Sequence, residues 1–171
     1  MSVLPSDAPA LIALAPALIA FFIVLGAAAF DVARFEIPDW VSVAIIVLAA
    51  VHGLLHPGFV WWPHLLAPVL MFAFGLLAFS RGWLGGGDVK LMTALAGWSG
   101  VFQLPILFFA ISLCGGVLAV VLLLARHGAA FAGVQGPRLL GRGEPLPYAV
   151  AIAGGVIWWV WATGGGPIAA L

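Results

Sequence analysis

The chain has 171 residues, a formal net charge of zero, and 65% hydrophobic residues against 7% Asp, Glu, Lys and Arg. Too few polar residues remain to cover a soluble core, so this composition, with mean hydropathy +1.25, describes an integral membrane protein. Zero net charge excludes a nucleic-acid binder working through a basic stripe, and one cysteine, Cys114, excludes disulfides and cysteine-rich metal clusters within one chain.

The first seven residues carry no Lys or Arg, and the apolar stretch behind them is longer than a signal-peptide core, which predicts a retained membrane helix from about Leu11 to Val32. Arg34, Glu36, Pro38 and Asp39 interrupt it. Pro38 disfavours helix at Ile37, and Asp39 is placed to cap a second helix that starts near Trp40 and reaches Leu55. His56-Pro57-Gly58 turns the chain into a third segment, Trp62 to Phe79. Behind Ser80-Arg81-Gly82-Trp83 stands the run Gly85-Gly86-Gly87-Asp88-Val89-Lys90, from which a fourth segment continues to Phe102. At about 15 residues it is roughly 22 Å long. Either it tilts, or its first turn starts below the membrane surface, with Asp88 in a recess. A fifth segment covers Pro105 to Ala125, a glycine-rich stretch to Glu144 is expected to be irregular, and a sixth runs from Leu146 to just before Gly164. The expected fold is all-α: one polytopic membrane domain over 1–171 with about six transmembrane helices.

The charges orient these segments. Arg34, Arg81, Lys90, Arg126, Arg138 and Arg142 all fall in alternate connections, while the other connections and both termini contain no Lys or Arg. The positive-inside rule puts the basic connections in the cytoplasm and both termini outside it. Asp31 and Asp88 then share the cytoplasmic end.

Two carboxylates at one depth suit amide hydrolysis. Like charges close together share a proton, so one group takes a proton from water while the other polarises the carbonyl. Helix dipoles favour the anion at Asp88, on a helix start, and the proton at Asp31, on a helix end. Gly85, Gly86 and Gly87 offer unusual backbone conformations and room for a peptide's main chain. Taken singly, Asp31 also reads as a partner for Arg34, Asp88 as a helix cap, and Lys90 as a snorkelling topology marker. Asp39 reads as an interfacial group or the support of a substrate-binding turn. His52, His56 and His64 fall on the opposite face in a spacing that makes a poor metal signature, so no metal is expected. Trp61, Trp62, Trp158, Trp159 and Trp161 read as interfacial anchors. The glycine run lacks the Gly-Lys-Ser/Thr ending of a phosphate loop.

Gly85-Gly86-Gly87-Asp88-Val89-Lys90-Leu91 resembles the Gly-x-Gly-Asp signature of intramembrane aspartyl proteases, in the form used by type IV prepilin peptidases. Asp31 with Ile37-Pro38-Asp39 resembles that family's first aspartate motif, which usually ends Ile-Pro-Asn. Leu146-Pro147-Tyr148, with Ala151 and Gly155, resembles the start of its last helix. The resemblance implies catalysis by Asp31 and Asp88, a site shaped by Gly85 to Gly87, Lys90, Pro38, Asp39 and Pro147, and no cofactor. It implies a pilin-like precursor with an apolar helix as partner, membrane lipid around the protein, and a place in the bacterial inner membrane. The short chain resembles the small tight-adherence (Flp-type) branch. It lacks the cysteine-bearing insertion of larger relatives, so methyl transfer is not expected. The competing readings are a non-catalytic component of pilus or secretion assembly and a proton-coupled transporter.

Overall fold

The structure is a computed structural model that describes residues 8–131, 139, 141 and 144–164, with side chains from residue 13 onward at the amino end. Among these residues it is helical, without a strand: α1 (Ala8–Arg34), α2 (Asp39–Leu55), α3 (Trp61–Ser80), α4 (Gly86–Phe131) and α5 (Tyr148–Ala162). The helix starts and stops follow the punctuation in the sequence. Pro38, not Asp39 as expected, is the residue before α2, its C=O accepting the Val41 N–H at 3.0 Å; Asp39 is the first residue of the helix and makes no side-chain cap bond. Pro147 likewise precedes α5, accepting from Val150 at 3.1 Å.

The largest departure from the expected segments is in α4. Its 46 residues cover both the fourth and fifth predicted segments, and the connection expected between them contracts to Gly100, at φ 61° and ψ 169°. A left-handed φ is cheap for glycine alone. A Cβ there would also lie 3.2 Å from the His64 ring, a tight contact that adds to the backbone preference for glycine. The two arms run in opposite directions, because Asp88 in the first and Gly115 in the second both lie beside Tyr148. Six helical stretches therefore stand where six were expected.

Three helices are long and apolar enough to cross a membrane: Ala13–Arg34 within α1, α3, and α4; α2 and α5 are apolar but shorter. The chain is a helical membrane protein. α3 packs on α4, α4 on α5, and α1 on both α2 and α5, with α2 closing against α4. Small residues set these distances, as expected where lipid supplies no hydrophobic drive between helices. A Cβ on Gly155 would lie 2.7 Å from the Ile111 backbone, and one on Gly75 would lie 2.6 Å from Val89 Cγ1.

Two sequence expectations change. Trp159 is no interfacial anchor: it is buried and donates its Nε1–H to Gln103 Oε1 at 3.1 Å. Trp61, Trp62 and Trp161 do face outward. Part of the stretch expected to be irregular is helical, since α4 continues to Phe131; residues 132–138, 140, 142 and 143 lie outside the described residues.

Candidate active site

Asp31 sits on the last turn of α1 and is 5% exposed. The chain then reverses over four residues. Phe35 adopts φ 55° and donates its N–H to the Asp31 C=O at 2.7 Å. A left-handed φ at an aromatic residue costs on the order of 1–3 kcal/mol, strain of the kind that gathers at functional sites. The reversal brings Asp31 and Asp39, at opposite ends of one short turn, to the same cavity.

The Asp31 carboxylate does not pair with Arg34, whose guanidinium lies over the Phe30 ring at 4.9 Å. Instead Asp31 Oδ2 accepts the backbone N–H of Ala149 at 2.9 Å. That N–H is one of the orphan donors in the first turn of α5. Asp31 is thus a cap supplied to α5 from another helix.

Asp88 is a cap of a second kind. Gly85 C=O accepts the first bond of α4, from Val89 at 3.2 Å, and the Gly85 N–H returns to Asp88 Oδ2 at 3.2 Å. This is the acidic half of a capping box, three residues into the helix. Each aspartate therefore faces a helix amino terminus. The distinction drawn from helix dipoles, with Asp31 on a helix end, omits the α5 terminus that the fold brings to it.

The two carboxylates line one cavity of about 700 Å³ and are near enough to interact through their charges. Gly85, Gly86, Gly87 and Asp39 line it too, as do Glu36 and Tyr148. Four of the chain's six acids, Asp31, Glu36, Asp39 and Asp88, border this one space. Pro38, Lys90 and Pro147 do not line it. Pro147 is fully buried before α5 and sets the turn that aims the Ala149 N–H. Lys90 is exposed and reaches Asp39 Oδ1 at 2.7 Å, joining the starts of α2 and α4. An exposed pair of this kind contributes at most about 1 kcal/mol. Asp39→Asn keeps an acceptor for Lys90, so thermal unfolding in detergent is expected to show little change.

The glycines act by what they lack. Positive φ values fall at Gly58, Gly82, Gly100 and Gly164, not at positions 85–87. A Cβ on Gly85 would lie 2.9 Å from Asp88 Oδ2, and one on Gly87 would lie 3.2 Å from Ile37 Cβ. Gly86 has only Phe79 within ordinary contact, at 3.7 Å. Gly85→Ala is therefore expected to displace the Asp88 carboxylate, whereas Gly86→Ala leaves it in place. A comparison of any activity requiring Asp88 in the two variants checks this, the first losing about tenfold or more through misplacement.

Sequence reasoning missed two contributors. Tyr148 borders the cavity close to Asp88, its ring lying across Gly115, where a Cβ would meet it at 2.9 Å. The Leu-Pro-Tyr motif held that signal. Arg126 donates from Nε to Leu139 C=O and from Nη2 to Pro145 C=O, both at 3.1 Å, tying the approach to α5. Composition marked it only as a basic residue. His52, His56 and His64 gather around a separate cavity at the far ends of α2 and α3, with the His52 and His56 ring centroids 4.0 Å apart. They take no part in this site.

These features define a helical membrane protein with carboxylates from two helices, α1 and α4, in one polar cavity. Residues 17–120 match the type IV leader peptidase family, and the chain belongs to that family. The matched stretch includes both Asp31 and Asp88. Over 144 residues the chain is 32% identical to the prepilin leader peptidase/N-methyltransferase of Bacillus subtilis (strain 168), covering 83% of this chain and 53% of that protein. A 43-residue stretch is 46% identical to the protein of the same name from Neisseria gonorrhoeae, covering 25% and 15% of the two chains. The chain thus spans about half the length of the Bacillus relative. No solved structure matches it.

Proposed function

We propose that this chain is a membrane-embedded aspartyl endopeptidase that removes the leader peptide from pilin-like precursors. Its support is the meeting of Asp31 and Asp88 in one cavity, inside a chain of the type IV leader peptidase family. One carboxylate takes a proton from a water molecule as that water attacks the scissile carbonyl carbon. The other, protonated, gives its proton to the carbonyl oxygen. The tetrahedral intermediate collapses as the first carboxyl group protonates the departing amine, and a proton from the intermediate returns to the second. No covalent nucleophile enters the sequence. The 85–87 backbone along the cavity supplies polar groups for an extended substrate, and Asp39, Lys90, Pro38 and Pro147 hold the turns around it.

The one-sided distribution of Lys and Arg supports a cytoplasmic position for the cavity, with six crossings, both termini outside, and residence in the bacterial inner membrane. Arg34 on the last turn of α1, Arg81 after α3 and Lys90 near the start of α4 stand at the cavity's end of the helices, in keeping with this orientation. The proposal covers peptide cleavage, not the methyl transfer in the relatives' names.

Co-expression with a pilin-type precursor from the same cell tests the reading. The precursor is expected to lose its leader when the intact chain is present. A precursor that stays full length beside a well-expressed, folded chain overturns it.

A further inference from the structure

The end of the bundle away from the carboxylates holds a second cavity, of about 540 Å³, bordered by His52 and His56. We propose that these two imidazoles bind one borderline divalent transition-metal ion, of the Zn²⁺, Cu²⁺ or Ni²⁺ class, through His52 Nδ1 and His56 Nε2. The site is independent of the peptidase reading.

His52 lies in the last turn of α2 and His56 is the residue that ends the helix. Four residues apart, they share one face of that turn, the spacing by which paired histidines on a helix hold zinc. Their ring centroids are 4.0 Å apart, with the planes tilted by 41°. A ligating imidazole has its centroid roughly 3 Å from the ion, given a Zn–N bond of about 2.0–2.1 Å. Two rings at this separation can therefore reach one ion.

The hydrogen bonds fix which nitrogens are available. His56 Nδ1 lies 2.7 Å from the His52 C=O, and a ring nitrogen facing a carbonyl carries the proton. The lone pair is then on Nε2. The His52 ring bonds the Ala13 backbone on α1, and not through Nδ1. His52 Nδ1 and His56 Nε2 are both buried and meet no hydrogen-bond partner among the described residues. His52 as a whole is 5% exposed. Buried polar atoms are nearly always partnered, so two orphans on neighbouring rings need an explanation. An imidazole tied to a carbonyl at one nitrogen and bare at the other is the arrangement that orients metal-ligating histidines.

The lining selects the ion. No Asp, Glu, Lys or Arg borders the cavity, so it offers neither the carboxylates that Ca²⁺ and Mg²⁺ need nor a competing cation. Imidazole nitrogens suit Zn, Cu and Ni. His64, on the same cavity, has its Nδ1 2.8 Å from the Gly97 C=O, but among the described residues no three of His, Cys, Asp and Glu form a metal-binding group. The spacing of the three histidines is thus a poor three-ligand signature in the fold as in the sequence, and the site is a pair with water completing the ion's shell.

The test uses the full chain without a histidine tag, in detergent, stripped with a chelator and dialysed against Zn²⁺ or Mg²⁺. One Zn²⁺ per chain is expected, and Mg²⁺ is not retained. His52→Gln and His56→Gln are each expected to weaken Zn²⁺ binding about tenfold or more, since loss of even a ligand's supporting partner costs about 10–100-fold. His127→Gln is the control: His127 is exposed on α4 and makes the same bond to the carbonyl four residues back, at 2.8 Å, so its loss is expected to change nothing. Zn²⁺ is also expected to raise the unfolding temperature of the intact chain and not that of the His56→Gln form. His56 is half-buried, so this variant is expected to fold even where substitution of the buried His52 does not. Unfolding without metal checks both. No saturable Zn²⁺ uptake, equal retention of Mg²⁺, or unchanged Zn²⁺ affinity in a folded His56→Gln form overturns the proposal. The first of these results is the one that a water molecule donating to both nitrogens would give.

Discussion

Asparagine at position 31 or at position 88 is expected to slow leader removal by about 10²–10⁴-fold, the range that a positioned proton-transfer group contributes. Asparagine is the informative substitution because both aspartates also have structural duties. Its side-chain oxygen can still accept the Ala149 N–H at position 31 and the Gly85 N–H at position 88. It cannot exchange a proton with water. Under the proposed mechanism the caps survive the change and leader removal does not. The double variant is expected to be no slower than the poorer single variant, since groups that act as one unit do not add. Asp31→Ala removes the acceptor as well, so it is expected to lower stability by about 1 kcal/mol, the usual cost of a lost helix cap. Processing in cells and unfolding in detergent separate these effects. Normal processing by either asparagine variant would reduce both residues to caps.

Gly155→Val is expected to have the second large effect, on the fold itself. The added Cβ meets Ile111 Cα and N at 2.7 Å. These are backbone atoms, so no rotamer change relieves the contact, and α5 must move away from α4. Overpacking of this kind costs about 1–3 kcal/mol or more, a large share of the roughly 5–15 kcal/mol that holds a typical domain together. Because the first turn of α5 also donates to Asp31, displacement disturbs the cavity at the same time. Gly154→Ala is the control. Its Cβ meets Cys114 Sγ at 3.3 Å, a longer contact with the side chain of a half-buried residue and not with backbone. Expression level and thermal unfolding are expected to fall for the first variant and hold for the second.

Much of this site was legible because charge is so sparse. In a chain with six acids, a carboxylate at each of two helix ends on one side of the basic-loop pattern leaves few arrangements. Helix boundaries were legible wherever proline or glycine punctuated an apolar run, as at Pro38, His56-Pro57-Gly58 and Pro147. A break between the fourth and fifth segments was expected near Phe102 to Pro105; it falls at Gly100, because a reversal made by one residue leaves no polar loop to mark its place. The left-handed turn at Phe35 has no glycine to announce it. Partners supplied across the bundle were also out of reach: Ala149 for Asp31, Lys90 for Asp39 and Gln103 for Trp159 follow from packing, not from local pattern.

The purified chain in lipid vesicles, supplied with a pilin-type precursor, allows the most direct measurement: mass spectrometry of the peptide released by the intact protein and by its Asp88→Asn form. The account predicts one leader peptide, cut just ahead of the apolar helix, from the intact protein alone. The same peptide released at the same rate by the Asp88→Asn form would contradict it.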